Sequence, residues 1–336
     1  MITRSLTTLE PKYWQKQLAE AISDPDELIH LLKLDKNLSQ SAHIAAESFP
    51  LRVTRHYLSL IEPGNPQDPL LRQILPISEE MQILPGFKLD PVGDHQASEG
   101  ASILQKYTGR ALLITTGACA IHCRYCFRRH YPYSENNSIR HWPQMLEKLQ
   151  QMKEIDEVIL SGGDPLSLSD ERLIELIQQI EAMPHIQRLR IHSRLPLVLP
   201  DRITPLLITA LAKSRLHTSL VLHCNHPNEL DKSLADKLQA LRAAGVTLLN
   251  QSVLLRGVND KLSTLKALSE KLFVYGVLPY YLHLLDPVQG AAHFEIDHEQ
   301  AQRLQEQLRN TLPGYLMPRM VREIPAAASK TPIHRL

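Results

Sequence analysis

From residue 111 onward the chain repeats one two-part phrase, a short apolar run followed by a longer amphipathic segment, and this rhythm limits the fold more than any other feature. ALLITT precedes WPQMLEKLQQM, EVILS precedes SDERLIELIQQIEAM, and RLRIHS precedes ITPLLITALAKS. TSLVLHC, VTLLNQSVLLR and VLPYYLHLL are followed in the same way by KSLADKLQALRAAG, STLKALSEKLFVYG and DHEQAQRLQEQLRNTL. Short apolar runs read as strands and the longer periodic stretches as helices. Six such units predict an α/β fold with a parallel sheet and helices outside it, either an open doubly wound sheet or a barrel, complete or partial.

The first hundred residues lack this rhythm and read as helical and irregular. Asp24 offers an N-cap, Pro25 the first helical position and Glu27 the third, ahead of LIHLLKL. EPGNPQDP (62–69) and PGFKLDPVGD (85–94) break regular structure. A boundary near residue 100 divides an N-terminal helical region, 1–100, from the repeating unit, 101–336.

With 37 basic and 36 acidic residues the net charge is +1, so no global field draws the chain to nucleic acid or to a membrane surface. The start, MITRSLTTLEPKYWQKQL, lacks the apolar run of a signal peptide, and no window reaches the ~18 apolar residues of a membrane span. A cytoplasmic location is expected. Three of the four cysteines crowd between positions 119 and 126, which suits a ligand set rather than a disulfide framework.

Unusual residues follow successive strands. Cys119, Cys123 and Cys126 come after the first, Gly162-Gly163-Asp164 after the second, His192-Ser193-Arg194 after the third, and His223-Cys224-Asn225-His226 after the fourth. Strand ends in such folds converge on one face, so a single site is implied. Thiolates at this spacing can share one inorganic centre, and three of them would leave one iron of a cubane without a protein ligand. Two other readings remain at this point: buried apolar cysteines on one helical face, or a zinc site completed by His122 or His130.

CxxxCxxC after the first strand, with Tyr125 just before its last cysteine, resembles the cluster motif of the radical S-adenosylmethionine superfamily. The resemblance implies a [4Fe–4S] cluster on Cys119, Cys123 and Cys126, whose open iron chelates S-adenosylmethionine and whose electron releases a 5'-deoxyadenosyl radical. It also implies a partial (βα)6 barrel of radical SAM type with an N-terminal helical extension. SGGDP resembles the segment holding the methionine amino group, placing Gly162, Gly163 and Asp164 in the cofactor site; Ser193 and Arg194, at the next strand end, are counted with them.

A narrower resemblance joins LLRQILP, LLITTGACAIHCRYCFRR, ILSGGDPL, RIHSRLPLVLPDRIT, HCNHPNEL, NQSVLLRGVND and SKTPI. Together these look like the lysine 2,3-aminomutases. That family implies a Schiff base between Lys330 and pyridoxal 5'-phosphate, Gln251 near the pyridoxal, and Lys106-Tyr107 around its phosphate. It implies Arg128 on the substrate carboxylate, with Asp286 and Glu323 receiving the ε-ammonium of L-lysine, which becomes β-lysine. Lys106 stands for the family's Arg, Glu323 for its usual Asp, and PAAASKTP for a commonly glycine-rich stretch. The better-known members continue past the cofactor lysine into a segment with zinc-binding cysteines; only TPIHRL follows Lys330, so no structural zinc is expected.

RYCFRRHYPY and the WQKQLAEAISDPDELIHLL helix resemble the branch that makes (R)-β-lysine for elongation factor P, where a ligase related to lysyl-tRNA synthetase is the functional partner. The alternatives are a mutase acting on another amino acid such as arginine or glutamate, lysine metabolism unconnected with elongation factor P, and a non-catalytic zinc or iron-sulfur protein. Product stereochemistry, oligomeric state, reductant and the role of Cys224 stay open at the level of sequence.

Overall fold

The computed structural model describes residues 13–133 and 138–333. Residues 1–12, part of the start read above as free of a signal peptide, and residues 334–336, the end of the tail after Lys330, lie outside the described residues. Ten strands form one sheet in sequence order: β1 (Ser98–Gly100), β2 (Ile103–Tyr107), β3 (Arg110–Thr116), β4 (Glu157–Gly162), β5 (Arg188–Ser193), β6 (His217–Leu222), β7 (Thr247–Leu254), β8 (Leu278–Leu284), β9 (Arg319–Arg322) and β10 (Thr331–Pro332).

Strands β3 to β9 run parallel to their neighbours, with Leu160 opposite both Leu113 and Ile191, and Leu220 opposite both Ile191 and Leu248. At the edges β1, β2 and β10 are antiparallel to the strands beside them. Among the described residues no ladder joins β1 to β10, so the barrel is partial. The six expected strands are β3 to β8. The four unforeseen strands are only two to five residues long, too short to show a period; in β9 only Met320 and Val321 are buried.

Among the described residues four α-helices precede the sheet: α1 (Tyr13–Ala19), α2 (Pro25–Leu31), α3 (Leu38–Ser48) and α4 (Arg55–Ser59). The others are α5 (Ser138–Gln151), α6 (Asp170–Glu181), the short α7 (Leu195–Val198), α8 (Pro205–Lys213), α9 (Lys232–Ala243), α10 (Leu262–Val274) and α11 (His298–Thr311). Asp24 caps α2 as its sequence predicts, accepting from the Asp26 N–H. Ser169, Thr204, Asp231 and Asp297 cap α6, α8, α9 and α11 in the same way, satisfying N–H groups that a helix start leaves unpaired.

Strand alternation separates core from cavity. In β7, Leu248, Asn250, Ser252 and Leu254 are buried, while Gln251 and Val253 between them line the central cavity. On α9, Leu234, Leu238 and Leu241 recur at helical spacing and are buried in return. The N-terminal helices join the same core: Trp14, Leu28, Tyr57 and Leu71 pack in one cluster with Leu113, Leu160 and Leu220.

Candidate active site

Because β3 to β8 are parallel, their C-terminal ends form one rim, and the loops leaving that rim enclose a cavity of about 950 Å³. Cys119, Cys123 and Cys126 follow β3; Gly162 ends β4 and Gly163-Asp164 follow it; Ser193 ends β5; Asp286 follows β8, Glu323 follows β9 and Lys330 precedes β10. Lys106 and Tyr107 enter from β2, between the edge strand β1 and β3. All the site residues expected from the sequence line this cavity.

The cysteine segment is a run of turns, not a helix, which removes the reading of three apolar thiols on a helical face. Its shape is held by buried charge. Arg124, wholly buried, gives two hydrogen bonds to Glu80, from Nε at 2.8 Å and Nη2 at 2.6 Å, and Arg129 Nη2 reaches the same Oε2 at 2.8 Å. The Cys119 thiol is pushed well up by burial, then by Asp164 and by the other two cysteines; burial and Cys123 push Cys126 up to about 11. Crowded thiols that resist ionisation alone are suited to a cationic centre that binds all three as thiolates.

The kind of centre follows from spacing. A single zinc would draw its sulfurs to about 3.8 Å from one another, given Zn–S bonds of about 2.3 Å in a tetrahedron. Among the described residues, no three such donors at this mouth lie within 4.8 Å of one another. His122 Nδ1 is turned to the Pro50 carbonyl at 2.8 Å and His130 Nε2 to that of Gln289 at 3.1 Å. The donor set therefore fits a polynuclear cluster better than mononuclear zinc.

The glycine pair is required by close approach. A Cβ on Gly162 would lie 2.6 Å from the Thr116 carbonyl oxygen, and one on Gly163 would lie 2.4 Å from that of Ala118. The Gly163 and Asp164 N–H groups donate to those carbonyls at 2.7 and 2.8 Å, tying the loop to the entry of Cys119. Asp164 is spent within the protein: its oxygens accept from Ser193 Oγ at 2.7 Å and from the N–H groups of Leu166, Arg194 and Leu195. Ser193 is thus a brace. Arg194 donates from Nη1 to Cys123 Sγ at 2.8 Å and from Nη2 to Glu229 at 2.9 Å.

At the other end of the cavity, charges alternate. Arg128 Nε donates to Asp94 at 2.6 Å, Asp94 pairs with Lys106 at 2.7 Å, Lys106 with Glu323 at 3.4 Å, and Lys330 Nζ donates to Glu323 Oε2 at 2.6 Å. Burial opposes the Glu323 charge, but Lys330 and Lys106 outweigh it and hold the carboxyl below its usual range. The Tyr107 hydroxyl is raised by burial and by Glu323. Asp286 is pushed up to about 7 by burial and by Glu323, against Lys330 and Lys106. Gln251 Oε1 and Asp286 Oδ1 are buried without hydrogen-bond partners, which marks them as ligand-facing atoms. In the alanine stretch before Lys330, Ala326 adopts φ +62°, a conformation glycine takes without steric cost.

Several residues of the site were not anticipated. Asp94 bridges Arg128 and Lys106; Ser161 takes a second bond from Arg128 at 3.0 Å; Tyr57, Gln73 and Glu229 accept from Arg194, and Asn225 donates to Gln73 and to the Tyr125 hydroxyl. Ser161, Gln73, Asn225 and Glu229 lie inside SGGDP, LLRQILP and HCNHPNEL, yet their pairings join segments distant in sequence and carry no local signature. His192 and His223 stand at strand ends, with His223 Nε2 3.3 Å from His192 Nδ1, and burial keeps both neutral. Cys224 is buried away from the cavity, its N–H donating to Asn250 at 3.0 Å, and is a packing residue.

A partial α/β barrel with three such thiols at its rim, and a match of the Radical SAM superfamily model to residues 113–267, define a radical S-adenosylmethionine enzyme, with the [4Fe–4S] cluster and cosubstrate of that class. The chain is 50% identical to an L-lysine 2,3-aminomutase of Escherichia coli K12, over 98% of its own length and 96% of that protein. It is 48% identical to one from Haemophilus influenzae Rd, covering 96% of each chain, and 35% identical to one from Clostridium subterminale, over 95% of this chain and 77% of that protein. The chain belongs to the lysine 2,3-aminomutase family, whose members are isomerases. Among solved structures, a radical SAM methyltransferase from Sphaerobacter thermophilus aligns over 66% of this chain and 68% of that one, at 15% identity and a TM-score of 0.46.

Proposed function

We propose that this chain converts (S)-α-lysine to (R)-β-lysine, using pyridoxal phosphate on Lys330, and that the product serves the modification of elongation factor P. The observation that carries the catalytic reading is one cavity with a three-thiol loop at its rim and, in its wall, a partly buried lysine paired with Glu323. The groups present suit both organic cofactors. The N–H groups of the Gly163-Asp164 loop are spent inside the protein, so this loop meets a methionine ammonium with acceptors rather than donors. Lys106 and Tyr107 supply a cation and a hydroxyl for a phosphate, and Gln251 a spare acceptor.

When bound, S-adenosylmethionine at the cluster is the radical source and pyridoxal phosphate supplies a conjugated ring that spreads an unpaired electron. The chain's own work is positioning. Glu323 is placed to take a proton from Lys330 Nζ, 2.6 Å away, before that amine can act as a nucleophile. Once Lys330 is engaged and Glu323 has passed that proton on to solvent, its carboxylate, still 3.4 Å from Lys106, can share the substrate ε-ammonium with Asp286. Arg128, fixed by Asp94 and Ser161, presents its guanidinium to the carboxylate end. Two acids in this wall disfavour glutamate as substrate.

Lys330→Ala tests the reading. Cluster content and S-adenosylmethionine cleavage should survive while β-lysine formation disappears; full β-lysine formation in that variant would overturn it. For the destination of the product, the resemblance of RYCFRRHYPY and the N-terminal helix to the elongation factor P branch is the support. Deleting the chain's gene should remove the β-lysyl mass from that factor, as read by intact mass spectrometry.

A further inference from the structure

Arg194 is 4% exposed and lies behind the cysteine loop, at the end of β5. From Nη1 it donates to Cys123 Sγ at 2.8 Å and to the Tyr125 hydroxyl; from Nη2 it donates to Glu229 Oε2 at 2.9 Å, to Gln73 Oε1 at 2.8 Å and to the Tyr57 hydroxyl at 3.1 Å. Its own N–H is held by Asp164 at 2.9 Å. Glu229 is wholly buried, and its other oxygen accepts from the N–H groups of Asn225 and His226 at 2.9 and 3.0 Å and from Gln73 Nε2 at 3.3 Å. With so many bonds at both ends, the guanidinium cannot swing away from the sulfur.

We propose that the Arg194–Glu229 pair sets the electron affinity of the iron-sulfur cluster through Cys123. The inference rests on the reading of Cys123 as a cluster ligand. A hydrogen bond to a ligating sulfur withdraws electron density and favours the reduced, more negative cluster. A cation in a buried, low-dielectric setting acts in the same direction. Glu229 partly cancels that cation. The two residues therefore pull the cluster's potential in opposite directions, and neither touches the reacting atoms: both are positioning residues.

The test is a redox titration of the anaerobically reconstituted full chain, poised with dithionite and followed by the electron paramagnetic resonance of the reduced cluster, with iron content measured alongside. Arg194→Gln should shift the midpoint to more negative potential, and the isosteric Glu229→Gln should shift it to more positive potential. Arg194→Lys, which keeps the charge, should shift it less than Arg194→Gln. Opposite signs are a result that a purely structural role would not produce. Shifts of the same sign, or unchanged midpoints at full iron content, overturn the proposal. If Arg194→Gln fails to retain iron, Glu229→Gln and Arg194→Lys decide by the same criteria. A Cys123→Ala chain with full iron and an unaltered resonance would instead overturn the ligand assignment on which the proposal stands.

Discussion

Asp286 carries a pH dependence that follows from where it sits. Its carboxyl is buried, with one oxygen unpartnered, and is pushed up to about 7. A raised carboxyl favours its protonated form in the fold, so the lysine-free protein loses stability as pH rises from the ordinary carboxylate range through about 7. The ammonium of lysine needs the ionised form. The KM for lysine should thus fall as pH rises through about 7, and Asp286→Asn should remove that limb while raising KM at higher pH. A hydrogen bond to a charged group contributes about 1.5–3 kcal/mol, or roughly 10- to 100-fold in KM. A pH series of initial rates checks this, and a variant keeping the wild-type profile would remove Asp286 from the ammonium site. Asp286 was legible through the family resemblance, which picks out this acid in LHLLDP. Asp94, in PVGDHQ, was not: it earns its place by an ion pair to Arg128, 34 residues away, which no local pattern records.

At the scale of elements, the cysteine loop is bolted to the segment before the sheet. Ser78–Met81 form a single 3-10 turn that aims Glu80 at Arg124 and Arg129, with all three side chains essentially buried. The arginine pair in CFRR reads in sequence as two neighbours, yet the fold parts them: Arg128 enters the cavity and Arg129 goes to Glu80. Glu80→Ala would leave two buried guanidiniums without their counter-charge, at a cost of about 3–5 kcal/mol. Urea unfolding should show the loss as a lower midpoint, and the variant should also retain less iron because the loop between Cys119 and Cys126 loses its anchor. A change under about 1 kcal/mol would mean that the loop holds its shape without this clamp.

At the scale of the whole molecule, the architecture was legible wherever a segment was long enough to show its period. Strands β3 to β8 and the helices between them announced themselves by alternating length and polarity, and the site followed because parallel strands end on one rim. What stayed hidden depends on partners distant in sequence: the short edge strands, the Arg194 network, and the seating of the N-terminal helices. That seating has a thermodynamic consequence. Trp14 on α1, Leu28 on α2 and Tyr57 on α4 pack in the same buried cluster as Leu113 and Leu160, and Thr54 donates its hydroxyl to the Val198 carbonyl across this contact. The Tyr57 hydroxyl also receives a bond from Arg194, so the helical region reaches the wall of the active site. Elements that share one core unfold together, since exposing either face costs the burial energy of both. Differential scanning calorimetry of the intact chain should therefore give one transition, with Tyr57→Ala lowering it as a whole. Two separable transitions, with only the earlier one moved by that substitution, would show that the first hundred residues fold apart from the barrel and that its wall stands without them.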